Sequence, residues 1–153
     1  MNTSAVALAY RESAALGASG TGIVVLLYDR LAQDIQSAIL AMAANDVEGR
    51  TMHVSHALLV LQQLQGRLDF ATGGSAAEQL NAFYSHIRGK LLEAQIKQSP
   101  KLLLEQAEAV VKIRECWAHV DRDIRARQIA ETPVADTISS PQEAEPATMS
   151  WGA

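Results

Sequence analysis

Four stretches of the chain carry apolar residues three or four positions apart, separated only by short polar or glycine-containing breaks. That spacing is one face of an α-helix, and a face of this kind has to be buried. The first stretch runs from Gly22 to Ala44 through Val24, Leu27, Leu31, Ile35, Ala38 and Met42, with Thr21 placed to cap it. The second begins at Asp46, a second capping residue, and runs through Val54, Leu58, Leu61, Leu64 and Leu68 to Phe70. Gly49 is a weak spot in its first turn. The third opens at Ser75, where Ser75 and Glu78 form a capping box, and continues through Ala77, Leu80, Tyr84, Ile87, Leu91 and Ala94. The fourth starts with Ser99 as cap and Pro100 at the first helical position. Leu103, Ala107, Val110, Trp117, Val120 and Ile124 carry it to about Gln128.

Between the second and third stretches stands "ATGGS", residues 71 to 75. Gly73 and Gly74 can take the left-handed backbone that ends a helix, so a corner between two helices is expected there. A phosphate loop would need a preceding strand and a following lysine, and the sequence has neither.

Helices of roughly 24 residues are rods of about 36 Å, and short connectors make consecutive rods run antiparallel. The fold expected is therefore all-α, an up-down-up-down four-helix bundle over 21–128. An N-terminal arm, 1–20, precedes it, and an acidic tail, 129–153, follows. From Glu131 onward the chain holds three of its four prolines and no Lys or Arg, a composition that argues for disorder. Trp151 lies in that tail. The low aromatic content, 5% within 48% hydrophobic residues, suits a core of Leu, Ala, Ile and Val.

Several functions are disfavoured by the same residues. A net charge of -4 does not suit a nucleic-acid surface. No apolar run approaches the length of a membrane span, so no membrane insertion is expected. The N-terminus lacks the basic start of a signal peptide, and the single cysteine, Cys116, cannot pair internally. Both point to the cytoplasm. None of His53, His56, His86 or His119 follows a glutamate by three residues, so the di-iron pattern of helical bundles is absent. His53 and His56 share a helix face but lack a third ligand, and no metal or other cofactor is expected. Cys116 reads as a buried or half-buried structural thiol. The expectation is a binding protein, not an enzyme.

Binding would use surplus apolar surface. "IVVLLY" at 23–28 puts apolar groups nearly all round the first helix, and "LLVL" at 58–61 does so on the second. A four-helix bundle buries only one side of each helix, so the excess must meet another segment, a second copy or a partner. The arm, with "AVALAY" beyond the "GASGTG" hinge, is one candidate cover.

"AY" at 9–10, "LLYDR" at 26–30, "GRLDFATGGSAAEQLNAFYSHI" at 66–87 and "RECWAHV" at 114–120 together resemble the FliS family of flagellar secretion chaperones. The four pieces stand in that family's order and spacing over residues 9–124. The resemblance implies an antiparallel helical bundle that binds the disordered C-terminal segment of flagellin and keeps it from polymerising in the cytoplasm. It also implies contact with the export apparatus and, in some species, with an anti-sigma factor. Carried over by motif, the partner-binding residues are Tyr10, Tyr28, Asp29, Leu80, Asn81 and Tyr84. Ile23, Leu26 and Leu27 join them from the apolar surplus. Asp29 is also placed to pair with a base on a neighbouring helix. Two rival readings stay open: a homodimeric scaffold, and a phosphotransfer domain using His56.

Overall fold

The computed structural model describes residues 20–132, and these form four α-helices. They are α1 (Gly20–Ala43), α2 (Val47–Gly66), α3 (Phe70–Lys97) and α4 (Pro100–Glu131). Each helix packs against its neighbours in the chain, and α1 closes the ring by packing along α4. Side-chain pairs fix the directions. Thr21 meets Asp121, Asp29 meets Arg114, and Gln36 lies beside Ala107 and Glu108, so α1 and α4 run antiparallel. Asp34 meets His56 while Ile23 faces the cleft shared with Gln63, so α1 and α2 are antiparallel too. The expected arm and most of the expected tail, including Tyr10 and Trp151, lie outside the described residues.

The core follows the sequence seams. Leu31, Ile35 and Ala38 of α1 are buried with Val54, Leu61 and Leu64 of α2. Ile87, Leu91 and Ala94 of α3 and Leu103, Ala107 and Val110 of α4 complete it. Tyr28 and Tyr84 fill its middle from opposite helices, at 0% and 2% exposure. Their hydroxyls lie 2.5 Å apart, which is how two phenols become tolerable in an apolar centre.

The helix ends show where local chemistry was read well and where it was not. Asp46 caps α2 by accepting the Gly49 N–H, and a Cβ at Gly49 would collide with that carboxylate. The glycine that weakens the first turn therefore makes room for its cap. Ser99 accepts from the Leu102 N–H, and Pro100 opens α4. Thr21 does not cap α1. It lies within the helix and donates its hydroxyl to the largely buried Asp121 at 2.8 Å.

The corner at 71–75 is displaced. α2 ends at Gly66, and Asp69, not Ser75, caps α3. The Asp69 carboxylate accepts from the Ala71 and Thr72 amides and from the Thr72 hydroxyl. Those bonds hold its carboxyl below the usual range, the Thr72 hydroxyl contributing most. With a complete cap five residues upstream of Gly74, the helix starts early. Gly74 then breaks it at φ 49°, ψ -126°, a conformation that side chains avoid. The glycine does take positive φ, but inside α3 after its first turn. Leu68 is outside any helix and still packs on the core, while Phe70 opens α3 half exposed.

Cys116 is exposed, which overturns the expectation of a buried thiol. Its position on α4 lies one residue off the seam that Val110, Ile113 and Trp117 present to the bundle. α4 also runs past the end of α1. Beyond Asp121 only Ile124 is even half buried.

Burial of the tyrosine pair makes alkaline pH a test of the core. Desolvation pushes the Tyr28 proton affinity far above the usual 10.0, and the hydroxyl of Tyr84 adds to this; the Trp117 side chain acts the other way. Tyr84 is likewise raised, again by desolvation. Unfolded chains release these protons from about pH 10, whereas folded chains keep them. The unfolded state then binds fewer protons, so stability falls as pH rises above 10. Denaturation midpoints in guanidinium at pH 8 and pH 11 are expected to show this loss, and a variant with both tyrosines replaced by Phe is expected to show less of it.

Candidate binding groove

The apolar surplus of α1 stays partly open. Ile23, Val24, Val25, Leu26 and Leu27 are all half buried, whereas Tyr28 turns fully inward. Ile23, Leu26 and Leu27 face Leu59 and Val60 of α2 across a cleft of about 400 Å³, with Arg30, His56, Gln63 and Arg67 at its edges. Leu59 is 57% exposed, an unusual state for leucine on a helix whose opposite face is core.

Two further clefts adjoin this one. The second, about 360 Å³, lies between Thr21 and Val24 of α1 and Trp117 and Ile124 of α4. The third, about 350 Å³, is lined by Leu68, Gly73, Ala77 and Leu80 together with Trp117. Arg67 borders all three. The three hollows thus lie side by side at the short α2–α3 connector, at one end of the bundle.

The expected partner-binding residues of the described chain fall into distinct environments. Ile23, Leu26, Leu27 and Leu80 line the groove. Asn81 lies beside it and accepts a hydrogen bond from Gln65 Nε2 at 3.1 Å; Gln65 in turn accepts from Arg88 at 2.7 Å. Tyr28 and Tyr84 are core. Asp29 finds its base in Arg114, whose Nε donates to Oδ1 at 2.6 Å and whose Nη2 donates to Oδ2 at 3.4 Å. Both partners are more than a third exposed, so this fork ties α1 to α4 only weakly. Asp29→Asn is expected to lower stability by about 0.2–1 kcal/mol, with the difference shrinking in high salt, as read from urea melts at two ionic strengths.

Sequence reasoning missed Arg67 and gave Trp117 only a core role. Both stand within the quoted family stretches, at 66–87 and 114–120, but neither is singled out there as a partner-binding residue. Each matters because elements distant in sequence converge on it. Trp117 also packs against the core cluster, which links the groove to the bundle interior.

His56 occupies the inner side of the first cleft. Its Nδ1 lies 2.5 Å from Oδ2 of Asp34, a carboxylate almost wholly buried. Arg30 Nε approaches the other oxygen of Asp34 at 3.4 Å. Among the described residues, no group of three or more His, Cys, Asp or Glu is placed to hold a metal ion, and no helix is long and apolar enough to cross a membrane.

Comparison with known proteins agrees with this architecture. The chain is 28% identical over 108 residues to the flagellar secretion chaperone FliS of Escherichia coli strain K12, covering 69% of this chain and 79% of that protein. It is 26% identical over 110 residues to the flagellar secretion chaperone FliS of Salmonella typhimurium strain LT2, covering 71% and 82%. The sequence model of the family described as "Flagellar protein FliS" matches residues 2–124. Matched over that span, which takes in α1, α2, α3 and most of α4, this chain belongs to the FliS family.

Proposed function

We propose that this chain is a flagellar export chaperone that holds the C-terminal segment of flagellin in the groove around α1, α2 and the α2–α3 connector. The observation that carries this reading is the run of apolar side chains, Ile23, Leu26, Leu27 and Leu80 half buried and Leu59 exposed, along neighbouring clefts of a folded bundle. Isolated exposed leucines are ordinary, but a grooved set is what an amphipathic helix needs. A flagellin segment without structure of its own would fold as it binds and lay its apolar face there. Coupled folding of that kind loses about 2–5 kcal/mol to ordering, which long apolar contact offsets. Shielded in this way, the client stays unpolymerised in the cytoplasm until it reaches the export apparatus.

Titration calorimetry with the flagellin C-terminal segment is expected to give a tight one-to-one complex, and circular dichroism a gain in helix beyond the sum of the parts. Flagellin lacking its last helix should fail to be pulled down. A flat titration at micromolar protein would exclude the reading. A tight dimer of the chain that ignores flagellin would favour the scaffold instead.

A further inference from the structure

The charge of the first cleft is opposite to that of the protein. The chain carries a net charge of -4, yet Arg30 and Arg67 border this cleft and, among the described residues, none that lines it is acidic. The nearby carboxylates are already engaged. Asp34 lies behind the cleft wall, nearly fully buried, against His56. Asp69 gives its oxygens to the Ala71 and Thr72 amides and the Thr72 hydroxyl. Arg30 is held at an ion-pair distance from Asp34 without hydrogen-bond geometry, so its buried Nε–H has no acceptor among the described residues. Arg67 is exposed and has no ion-pair partner among them. The Arg30 side chain is nevertheless 40% exposed, and a guanidinium has further N–H donors that a ligand carboxylate can take.

From this we infer that the α1–α2 cleft selects amphipathic helices that carry carboxylates beside their apolar face, with Arg30 and Arg67 as the two receiving cations. The inference rests on the reading of this groove as the client site and adds the chemistry of the client. Asp34 of α1 stands opposite His56 of α2, so in this antiparallel pair Arg30 is level with residue 60 and lies about 10 Å from Arg67 along the helices. Two acidic residues about seven positions apart on a bound helix match that span. Leu26 and its apolar neighbours supply most of the contact, and the two arginines decide which apolar helix is taken.

The test uses the full chain and two synthetic helical peptides with the same leucine face. One carries Glu at two flanking positions about seven apart, the other Gln at both. The Glu peptide is expected to bind on the order of tenfold tighter at low salt, with the advantage lost at high salt. In an Arg30→Gln, Arg67→Gln double variant the two peptides should bind alike, at the affinity of the Gln peptide for the wild type. Arg67→Gln alone, at an exposed side chain, should halve the preference on a logarithmic scale and keeps the test readable if the double variant unfolds. Equal affinities in the wild type, a Glu preference that survives both substitutions, or failure of both peptides to bind would each overturn the inference. Flagellin is titrated in parallel. Flagellin binding without a Glu preference sinks the inference and spares the flagellin reading; a Glu preference without flagellin binding does the reverse.

Discussion

Leu26→Asp is expected to abolish capture of the flagellin segment while leaving the melting temperature within a few degrees of wild type. The two halves of this result come from the same geometry. Leu26 lines the α1–α2 cleft and is half buried, but it is not among the apolar residues packed on the core. In the free protein an aspartate there can point into water. In the complex it would sit against an apolar client face, and burying an unpaired carboxylate costs several kcal/mol. A loss of about 3 kcal/mol is already more than a hundredfold in affinity. Ile23→Asp, at a second lining position outside the core set, is expected to behave alike. Leu27 lines the same cleft and packs on the core, so Leu27→Asp should weaken both binding and fold. Calorimetry beside thermal melts separates the cases, and wild-type affinity in the Leu26 variant would place the client elsewhere.

The second large effect is on stability. Tyr28→Ala removes a fully buried ring from the middle of the bundle and should cost about 3–5 kcal/mol, because the surrounding helices cannot close the cavity. Tyr28→Phe keeps the ring and removes only the hydroxyl. It leaves the Tyr84 hydroxyl buried without its partner, for an expected cost of about 1–3 kcal/mol. Tyr84→Phe leaves the Tyr28 hydroxyl in the same position and is expected to cost about as much. The double Phe variant is expected to be no worse than Tyr28→Phe alone. When both partners of a buried hydrogen bond become apolar, nothing is left unsatisfied between them. Guanidinium melts of the four proteins form a double-mutant cycle, and strictly additive losses would mean that the two hydroxyls do not depend on each other.

The family motif at 26–30 mixes these roles within a single turn. Leu26 and Leu27 face the groove, Tyr28 faces the core, Asp29 bonds to α4, and Arg30 returns to the groove. A motif read as one binding stretch is thus divided by the 100° step of the helix between contact, core and brace.

Periodicity and capping residues were enough to place the four helices, most of their buried faces and two of their caps; Val120, on the expected seam of the fourth, is instead 43% exposed. Each of these depends on residues within a few positions of one another, and side chains spaced three or four apart share a face wherever the helix ends up. The same locality explains the corner. Ser75 reads as the cap from its capping box, but Asp69 holds that place, accepting from the Ala71 and Thr72 amides and the Thr72 hydroxyl, and the helix starts there. The groove belongs wholly to the tertiary structure. Ile23, Arg67, Leu80 and Trp117 come from different elements, and only the antiparallel closure of α1 onto α4 and the tight α2–α3 connector bring them to one end of the bundle. A helix seam is written in the spacing of one segment, but a cleft exists only in the distance between segments.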